Sequence, residues 1–311
     1  MPAPSGAPLG GAAAIVVVGL VTSDLVVEMP RWPAPDGRLL VEPIHRAQGG
    51  PGATAAVAAA RLGTAVAFIG GVGDDEAGER LRRGLADEGV DIALVRTLRG
   101  RSSESVVLLD SSAATRSILH APGVVLDQLP PRAAGALGAA SWVHVDHAGW
   151  TLARDVPRHR LSVDAGNPIA GLAVGGLGLY APTASSLRAR YPGLRLGAAV
   201  REVLGEGVTR VAVTLGPDGA IAADASGTWR ARPPSVAVRS TLGAGDVFHG
   251  ALVARLAAGW LFPEAVREAT TAAALSCGGL DGREAIPTAD ELADSVQGAP
   301  PLESILLDDV A

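Results

Sequence analysis

Short apolar runs of strand length alternate with amphipathic helical segments along most of this 311-residue chain. The runs lack the polar alternation of a half-exposed sheet, which indicates strands buried on both faces. Such strands need a covering layer on each side, so the alternation favours an α/β fold with a mostly parallel central sheet. Strands are predicted at residues 15–20, 65–69, 106–109, 142–145, 161–163 and 211–215, and helices at residues 53–62, 77–88, 196–204, 247–258, 263–276 and 289–296.

Two segments, residues 23–47 and 97–120, interrupt this rhythm. They are more polar, are punctuated by proline and glycine, and contain no long helical pattern. We predict that they form strands projecting from the core as a small β lid, which would exclude water from a site beneath it. Two ordinary surface loops are the alternative. The division is therefore a core of residues 1–22, 48–96 and 121–311 and a lid of residues 23–47 and 97–120.

The basic side chains narrow the possible functions, because all 26 are arginine and the chain has no lysine. This excludes a Walker-type P-loop and any Schiff-base mechanism, since both require a lysine amine. The chain also lacks the Gly-x-Ser-x-Gly and Gly-x-Gly-x-x-Gly motifs of α/β-hydrolases and dinucleotide-binding domains. A formal charge of −6 argues against a nucleic-acid partner.

The single cysteine, Cys277, allows no internal disulfide and is typical of a protein in the reducing cytoplasm. Residues 1–13 carry no basic region of the kind that begins a signal peptide, and we expect them to form a loose leader. The apolar run at residues 15–18 is too short to cross a membrane. We therefore expect a cytoplasmic protein without a membrane partner.

A glycine-rich turn at residues 240–246 directly precedes an apolar helical segment. The unpaired N–H groups at a helix start can hold an anion, and the carboxylate of Asp246 lies in the same turn. An anion cradle beside a carboxylate suits phosphoryl transfer to a hydroxyl, because the N–H groups stabilise charge while the carboxylate accepts the proton. The alternative is a tight turn with a helix cap.

A second glycine-rich turn, at residues 48–54, leads into an alanine-rich helix. Its glycines would let the backbone approach a polyhydroxylated ligand, and its helix start would supply hydrogen-bond donors. The carboxylate of Asp24, which lies upstream, would bind sugar hydroxyls. A third turn, residues 214–219, could contact a nucleotide or simply join a hairpin. For each turn a purely structural role is the alternative.

The remaining polar candidates are weaker. The segment at residues 144–147 contains His144, Asp146 and His147, which are of metal-ligand type, but adjacent strand residues point to opposite faces, so a shared metal is not expected. His144 is expected in the core or at the strand end. Arg116 lies in the predicted lid, where it could reach an anionic group or remain solvated. His249 follows the glycine turn at residues 240–246 and is expected only to pack there.

The order of these motifs resembles the ribokinase-like, PfkB-type carbohydrate kinases over nearly the whole chain. The glycine pair at 49–50, the segment 68–78, the Thr-x-Gly turn, Gly-Ala-Gly-Asp at 243–246 and Ile-Pro-Thr at 286–288 all occur in family order. The resemblance implies a ribokinase-like three-layer sandwich with a β lid. Within the family, the runs at residues 49–63 and 243–252 are most similar to those of sulfofructose kinases.

The resemblance also implies roles for individual residues. Asp246 would be the general base, and Gly243, Ala244 and Gly245 would form the anion hole. ATP would be contacted by Thr214, Gly216 and Gly219. The sugar would be held by Asp24, Gly49, Gly50 and Thr54, although the family often has asparagine at the position of Thr54.

Two departures from the family pattern concern cations. Ser240 stands where relatives have an acidic residue, and residues 183–186 read Thr-Ala-Ser-Ser where they commonly have Asn-x-x-Glu. Magnesium could still arrive with ATP, since it is held largely by phosphates and water. We therefore expect dependence on Mg²⁺ but little activation by potassium.

The predicted function is ATP-dependent phosphorylation of a hydroxyl on a small sugar or sugar derivative. A ketose or sulfoketose is favoured, followed by a pentose. A nucleoside kinase is one alternative, and a non-catalytic sugar- or nucleotide-binding protein on a kinase fold is another. A homodimer formed through the lid is a further expectation.

Overall fold

The computed structural model describes residues 14–110 and 115–310, so the expected leader at residues 1–13 lies outside the described residues. The strands are β1 (Ile15–Val18), β2 (Thr22–Met29), β3 (His45–Gly49), β4 (Val66–Gly73), β5 (Val95–Leu98), β6 (Glu104–Asp110), β7 (Thr115–Ala121), β8 (Trp142–Val145), β9 (Leu161–Ala165), β10 (Leu179–Pro182), β11 (Arg210–Thr214), β12 (Ala220–Asp224), β13 (Gly227–Ala231) and β14 (Glu303–Ser304). The helices are α1 (Pro51–Arg61), α2 (Glu76–Asp87), α3 (Ala133–Ala139), α4 (Ala184–Arg190), α5 (Leu196–Gly205), α6 (Ala244–Ala257), α7 (Phe262–Ser276) and α8 (Ala289–Gln297).

The larger sheet has ten strands in the order β14-β13-β12-β11-β10-β9-β8-β1-β4-β5. The neighbouring strands β11, β10, β9, β8, β1, β4 and β5 all run parallel to one another. The strands β12, β13 and β14 are added in antiparallel pairing at the other end of the sheet. The predicted mostly parallel sheet is confirmed. The turn at residues 214–219 joins β11 to the antiparallel β12, so it is a hairpin connection.

Both faces of this sheet are buried, which confirms the predicted three layers. Along β1, Ile15 and Val17 pack in one apolar cluster with α1, α6 and α7, whereas Val16 and Val18 pack in a second cluster with α3 and α5. This division follows from the two-residue period of a strand. The central strand is therefore apolar throughout, as its sequence pattern indicated.

The second sheet has four strands in the order β3-β2-β6-β7, and it contains the predicted strand at residues 106–109. Its outer pairs are antiparallel, while β2 and β6 run parallel. The predicted lid segments supply these strands, but β5 at residues 95–98 belongs to the larger sheet, and β3 extends to Gly49. All seven residues of the edge strand β7 are exposed.

Within residues 14–110 and 115–310, none of the helices is long and apolar enough to cross a membrane.

Candidate active site

The carboxyl ends of the central parallel strands form one edge of the larger sheet, and polar residues collect there. Asp146 directly follows β8, Asp164 lies near the end of β9, and Thr183 and Thr214 lie at the ends of β10 and β11. In an open α/β sheet, ligands bind outside this edge. The predicted site residues lie in the turns before α1 and α6 and at the starts of these helices, in the hairpin at residues 214–219 and on strand β2.

The turn before α6 presents free backbone donors. Gly243 caps the helix with φ 74°, and a side chain there would lie 2.7 Å from the Cα atom of Gly282. The N–H groups of Gly243, Gly245 and Asp246 have no acceptor among the described residues, while that of Ala244 makes only a long contact of 3.4 Å with the carbonyl of Thr241. A left-handed residue followed by a helix start makes a concave anion-binding arrangement.

Asp246 lies in the first turn of α6, beside these donors, and its side chain is half-buried. Burial, with a smaller contribution from the nearby Asp164 carboxylate, raises the pKa of the Asp246 carboxyl to about 8. A carboxyl whose pKa lies near neutrality is well matched to accepting a proton from a hydroxyl.

The turn before α1 differs, because the protein itself uses the donors of that helix start. Pro51 has no N–H group, Gly52 donates to Asp146 at 3.0 Å, Ala53 donates to the Leu20 carbonyl, and Thr54 donates to the Gly50 carbonyl. The expectation that this helix start supplies donors to a ligand is therefore wrong for Gly52, Ala53 and Thr54. The N–H group of Gly50 has no acceptor among the described residues.

Asp24 lies on β2 and is 7% exposed. Its Oδ1 atom is buried and has no hydrogen-bond partner among the described residues, while hydroxyls of Thr22 and Ser105 donate to the carboxylate. Burial raises the pKa of Asp24, and these two hydrogen bonds oppose the rise. Gly49 is required here, because a Cβ atom would lie 2.0 Å from Asp24 Oδ2.

Arg283 connects the two glycine turns, and no sequence motif marks it for this role. Its guanidinium donates to the carbonyl of Gly49 at 3.0 Å and makes longer contacts of 3.4 Å with Thr54 Oγ1 and Gln48 Oε1. Burial lowers the pKa of Arg283 to about 10, so the side chain stays charged at neutral pH. The preceding residue, Gly282, lies against Gly243. This loop therefore fixes the distance between the two turns.

Asp146 is the second residue whose role was missed, because its sequence segment indicated only a residue of metal-ligand type. Its carboxylate accepts hydrogen bonds from the N–H groups of Leu20, Gly52, Ala148 and Gly149 at 2.7–3.0 Å, and the side chain is 1% exposed. It thereby joins the end of β1 to the start of α1. Asp146 is a structural residue that holds the turn before α1 in place.

The lid touches the turn before α6 through Arg116. This residue lies on β7 and donates from Nη1 to Thr241 Oγ1 at 2.5 Å. The contact supports the interpretation that Arg116 faces the site. It also places a positive charge close enough to Asp246 to oppose the rise in the pKa of that carboxyl.

The three residues predicted to contact ATP occupy different environments. Thr214 ends β11 and forms an isolated bridge with Thr183, which directly follows the neighbouring strand β10. Gly216 is exposed, has φ 62°, and has open space where a side chain would project. Gly219 is buried, and a Cβ atom there would lie 2.0 Å from the Ala231 carbonyl, so the hairpin itself requires this glycine.

The two segments that depart from the family pattern have structural partners. The Thr183 side chain caps α4 by accepting from the N–H of Ser186, whose hydroxyl donates to the Gly166 carbonyl. Ser240 is 5% exposed, and its hydroxyl accepts from the N–H of Leu242. The segment at residues 183–186 and the Ser240 side chain therefore each stabilise a turn at the site.

Across residues 14–110 and 115–310, there is no group of three or more His, Cys, Asp or Glu side chains that could hold a metal ion. His144 is 1% exposed, which confirms its expected place in the core. His249 also lies in the core, but it pairs with Asp164 at 3.1 Å rather than only packing there.

The chain is similar to known proteins over most of its length. A sequence model described as pfkB family carbohydrate kinase matches residues 12–158 and 195–289. Ribokinase of Haemophilus influenzae is 26% identical over 309 residues, which cover 92% of this chain and 99% of that protein. Fructoselysine 6-kinase of Escherichia coli is 30% identical over 235 residues, covering 73% of this chain and 88% of that protein.

The fold is also found among solved structures. Ribokinase of Arabidopsis thaliana complexed with ribose and ATP superposes with a TM-score of 0.80 at 22% identity, covering 92% of this chain and 99% of that chain. At this identity the similarity establishes the fold. It supports the ribokinase-like architecture of a large sheet with a smaller sheet beside it.

Proposed function

Because the chain belongs to the pfkB family of carbohydrate kinases, we propose that it transfers the terminal phosphoryl group of ATP to a primary hydroxyl of a ketose or sulfoketose. The observation that carries this proposal is the pairing of Asp246 with the free N–H groups of Gly243 and Gly245 at the start of α6. A base and an anion cradle in one turn are what phosphoryl transfer requires.

In this reaction Asp246 accepts the proton of the sugar hydroxyl as that oxygen forms its bond to the γ-phosphorus. The bond from the γ-phosphorus to the bridging oxygen breaks, and ADP leaves. The N–H groups of Gly243, Gly245 and Asp246, with the positive end of α6, stabilise the charge on the transferred group. Ala244 contributes less, since its N–H already points toward Thr241.

The sugar would be held on the other side of the cleft. Asp24 offers an unpartnered, buried Oδ1 atom to sugar hydroxyls, and Gly50 offers a free N–H group. Gly49 contributes by leaving room for the Asp24 carboxylate. Thr54 is 1% exposed and contacts Arg283, so it supports this side of the site from within α1.

ATP would lie against the hairpin at residues 214–219, with Thr214 and the open backbone at Gly216 as contacts and Gly219 shaping the turn. Mg²⁺ would arrive with the nucleotide and neutralise phosphate charge. The residues described above supply the remaining positive potential through backbone donors and Arg116.

We propose that the small sheet acts as a lid over the sugar and that a homodimer forms through it. Ile118 and Leu119 of β7 are 51% and 57% exposed, which is a typical surface for a second copy. Hydrogen exchange in residues 23–47 and 97–120 should slow when the substrate is added. Unchanged exchange at saturating substrate would contradict closure, and a monomer by sedimentation would contradict the dimer.

The experiment that tests the function is ADP release across a panel of fructose, sulfofructose, fructoselysine, ribose and nucleosides. Fructoselysine belongs in the panel because the relative from Escherichia coli is a fructoselysine 6-kinase. Fastest turnover on a ketose or sulfoketose is the expected result. Turnover only on nucleosides would establish a nucleoside kinase instead, and binding without ADP release would establish a non-catalytic protein.

With its single buried cysteine, the enzyme is proposed to act in the cytoplasm.

A further inference from the structure

A buried cluster of two histidines and an aspartate lies behind the turn before α6. His249 Nε2 is 3.1 Å from Asp164 Oδ1, and this carboxylate also accepts from the N–H of Gly166 at 2.8 Å. The ring of His144 lies 5.5 Å from that of His249, measured between centroids, and its Nδ1 atom is 3.0 Å from Ser162 Oγ. His144, Asp164 and His249 are at most 6% exposed, so bulk water does not screen them.

The charge in this cluster resides on one pair. Burial opposes the charged form of His249, but the Asp164 carboxylate outweighs it and raises the pKa of the imidazole. Burial likewise opposes ionisation of Asp164, yet the charge and hydrogen bond of His249 hold the pKa of that carboxyl well below its usual value. Burial lowers the pKa of His144 to about 3, so this ring is neutral.

The pair lies next to the proposed base. Asp246 and His249 are three residues apart on α6, and side chains at this spacing are neighbours on one helix face. The charged groups around Asp246 are Asp164 on β9, Asp146 after β8, Arg116 on β7, His249 on its own helix and Arg283 in the loop before α8. The two aspartates disfavour its ionised form, whereas Arg116, His249 and Arg283 favour it.

We propose that His249, paired with Asp164, is a positioning residue that acts as a fixed buried cation one helical turn behind Asp246 and favours the ionised form of this carboxyl, the form that accepts the proton. The proposal rests on the assignment of Asp246 as general base. Arg116 is exposed on a lid strand, whereas His249 and Arg283 are buried outside the lid, and His249 is the one that shares a helix with Asp246. The site thus has a permanent counter-charge built into the core.

The test is the pH dependence of kcat/KM for His249→Gln between pH 6 and 10. Glutamine keeps a donor for Asp164 but carries no charge. For wild type we expect the acidic limb near pH 8, as the pKa of Asp246 indicates. In the variant the limb should move upward by roughly one to two pH units, with a loss of roughly tenfold or more at pH 7 and recovery at high pH. A merely structural defect would lower the rate at every pH.

His144→Gln is the matched control, since it removes a buried imidazole of the same cluster that carries no charge. Its acidic limb should coincide with that of wild type. An unmoved limb in folded His249→Gln, or an equal shift in His144→Gln, would overturn the proposal.

A measurement on wild type keeps the proposal falsifiable even where the variants fail to fold. The ¹⁵N shifts of the His249 ring report whether one or both nitrogens carry a proton. We expect both to be protonated from pH 6 to 8, and a neutral His249 ring in that range would overturn the proposal. Because this readout needs no turnover, it separates failure of the ion pair from failure of Asp246 as base, which Asp246→Asn tests independently.

Discussion

The turns before α1 and α6 both contain glycines and both open helices, yet they use their backbone donors in opposite ways. At α1 the N–H groups of Gly52, Ala53 and Thr54 bind acceptors within the protein. At α6 the N–H groups of Gly243, Gly245 and Asp246 are left without acceptors among the described residues. The two helices nevertheless pack closely, because Gly250 lets α6 approach the Ala55 carbonyl.

The difference shows that a glycine-rich helix start is not by itself an anion site. What distinguishes the two is the acceptor that lies in front of each. Asp146 supplies a buried carboxylate to α1, so its helix start is neutralised by the protein. The start of α6 has a carboxylate beside its donors instead of in front of them, and its positive end is available to a phosphate. Substitutions before α1 should therefore reduce stability, and substitutions before α6 should reduce activity.

The largest expected effect is on turnover in Asp246→Asn. Loss of the general base should lower kcat by about 10²–10⁴-fold, while ATP and sugar still bind. Near-normal turnover on the identified substrate would show that the base is another residue.

The same variant should be more stable than wild type at pH 8. The folded-state pKa of Asp246 is about 8 against a usual value near 3.8, so ionisation is disfavoured in the folded protein, and the contribution of Asp246 to wild-type stability should fall as the pH rises between these values. Asparagine cannot ionise, and the gain at pH 8 should be at least about 1 kcal/mol. Thermal unfolding at pH 5 and pH 8 measures it, and a gain that is equal at both pH values would show that ionisation of Asp246 is not its cause.

The structural role of the turn before α1 is tested by Gly50→Ala, which should lower stability. In Gly50→Ala the residue would have φ 93°, and its Cβ atom would lie 2.5 Å from the Leu20 carbonyl. We expect a loss of about 2–4 kcal/mol in the free energy of unfolding. Gly63→Ala is the matched control, since its φ is 83° but nothing lies within 4 Å, and it should lose only about 1 kcal/mol. Equal losses in a denaturant titration would mean that the close packing of this turn is unimportant.

A smaller effect is expected from Gly245→Ala. A methyl group there meets no protein atom within 4 Å, so the fold should tolerate it, but it would crowd the space in front of the free donors. We predict unchanged or slightly higher stability and a drop in kcat of roughly tenfold. Gly138→Ala, also helical and with nothing within 4 Å, should leave kcat unchanged. Activity equal to wild type in Gly245→Ala would argue against an anion at this position.

The smallest effect should come from potassium. The Ser240 hydroxyl is already engaged by the N–H of Leu242 and offers no charged ligand, so initial rates should not depend on the monovalent cation. Rates are compared in potassium, sodium and tetramethylammonium chloride at equal ionic strength. A several-fold rise specific to potassium would show that the loop forms a cation site despite Ser240.

Much of this molecule could be predicted from local patterns. The apolar runs predicted the parallel strands β1, β4, β8, β9 and β11 within a few residues, because buried strands have a composition that requires no knowledge of their neighbours, but β5 and β10 were not predicted. The interruption of that pattern indicated the lid. The glycine-rich turn before α6 indicated the position of Gly243. These features depend on short stretches of sequence.

The parts that escaped prediction depend on contacts between distant segments. Arg283 reaches Gly49 across 234 residues, and Asp146 reaches Gly52 across 94. The pairing of His249 with Asp164 likewise required two elements to pack together. No periodicity indicates such partners, since a buried polar side chain reveals its role only when its acceptor is known. The use of the donors at α1 was misjudged for this reason.

The contrast between the two turns can be measured directly with ¹⁵N-labelled glycine. Amide shifts are recorded as Mg²⁺, ADP and aluminium fluoride are added to the enzyme with its sugar substrate, a mixture that mimics the transferred phosphoryl group. The amides of Gly243 and Gly245 should shift strongly, because they donate to the new anion, and the amide of Gly52 should hardly move, because Asp146 already accepts its hydrogen bond. Unmoved signals from Gly243 and Gly245, or an equal shift at Gly52, would contradict the assignment of phosphoryl transfer to the start of α6.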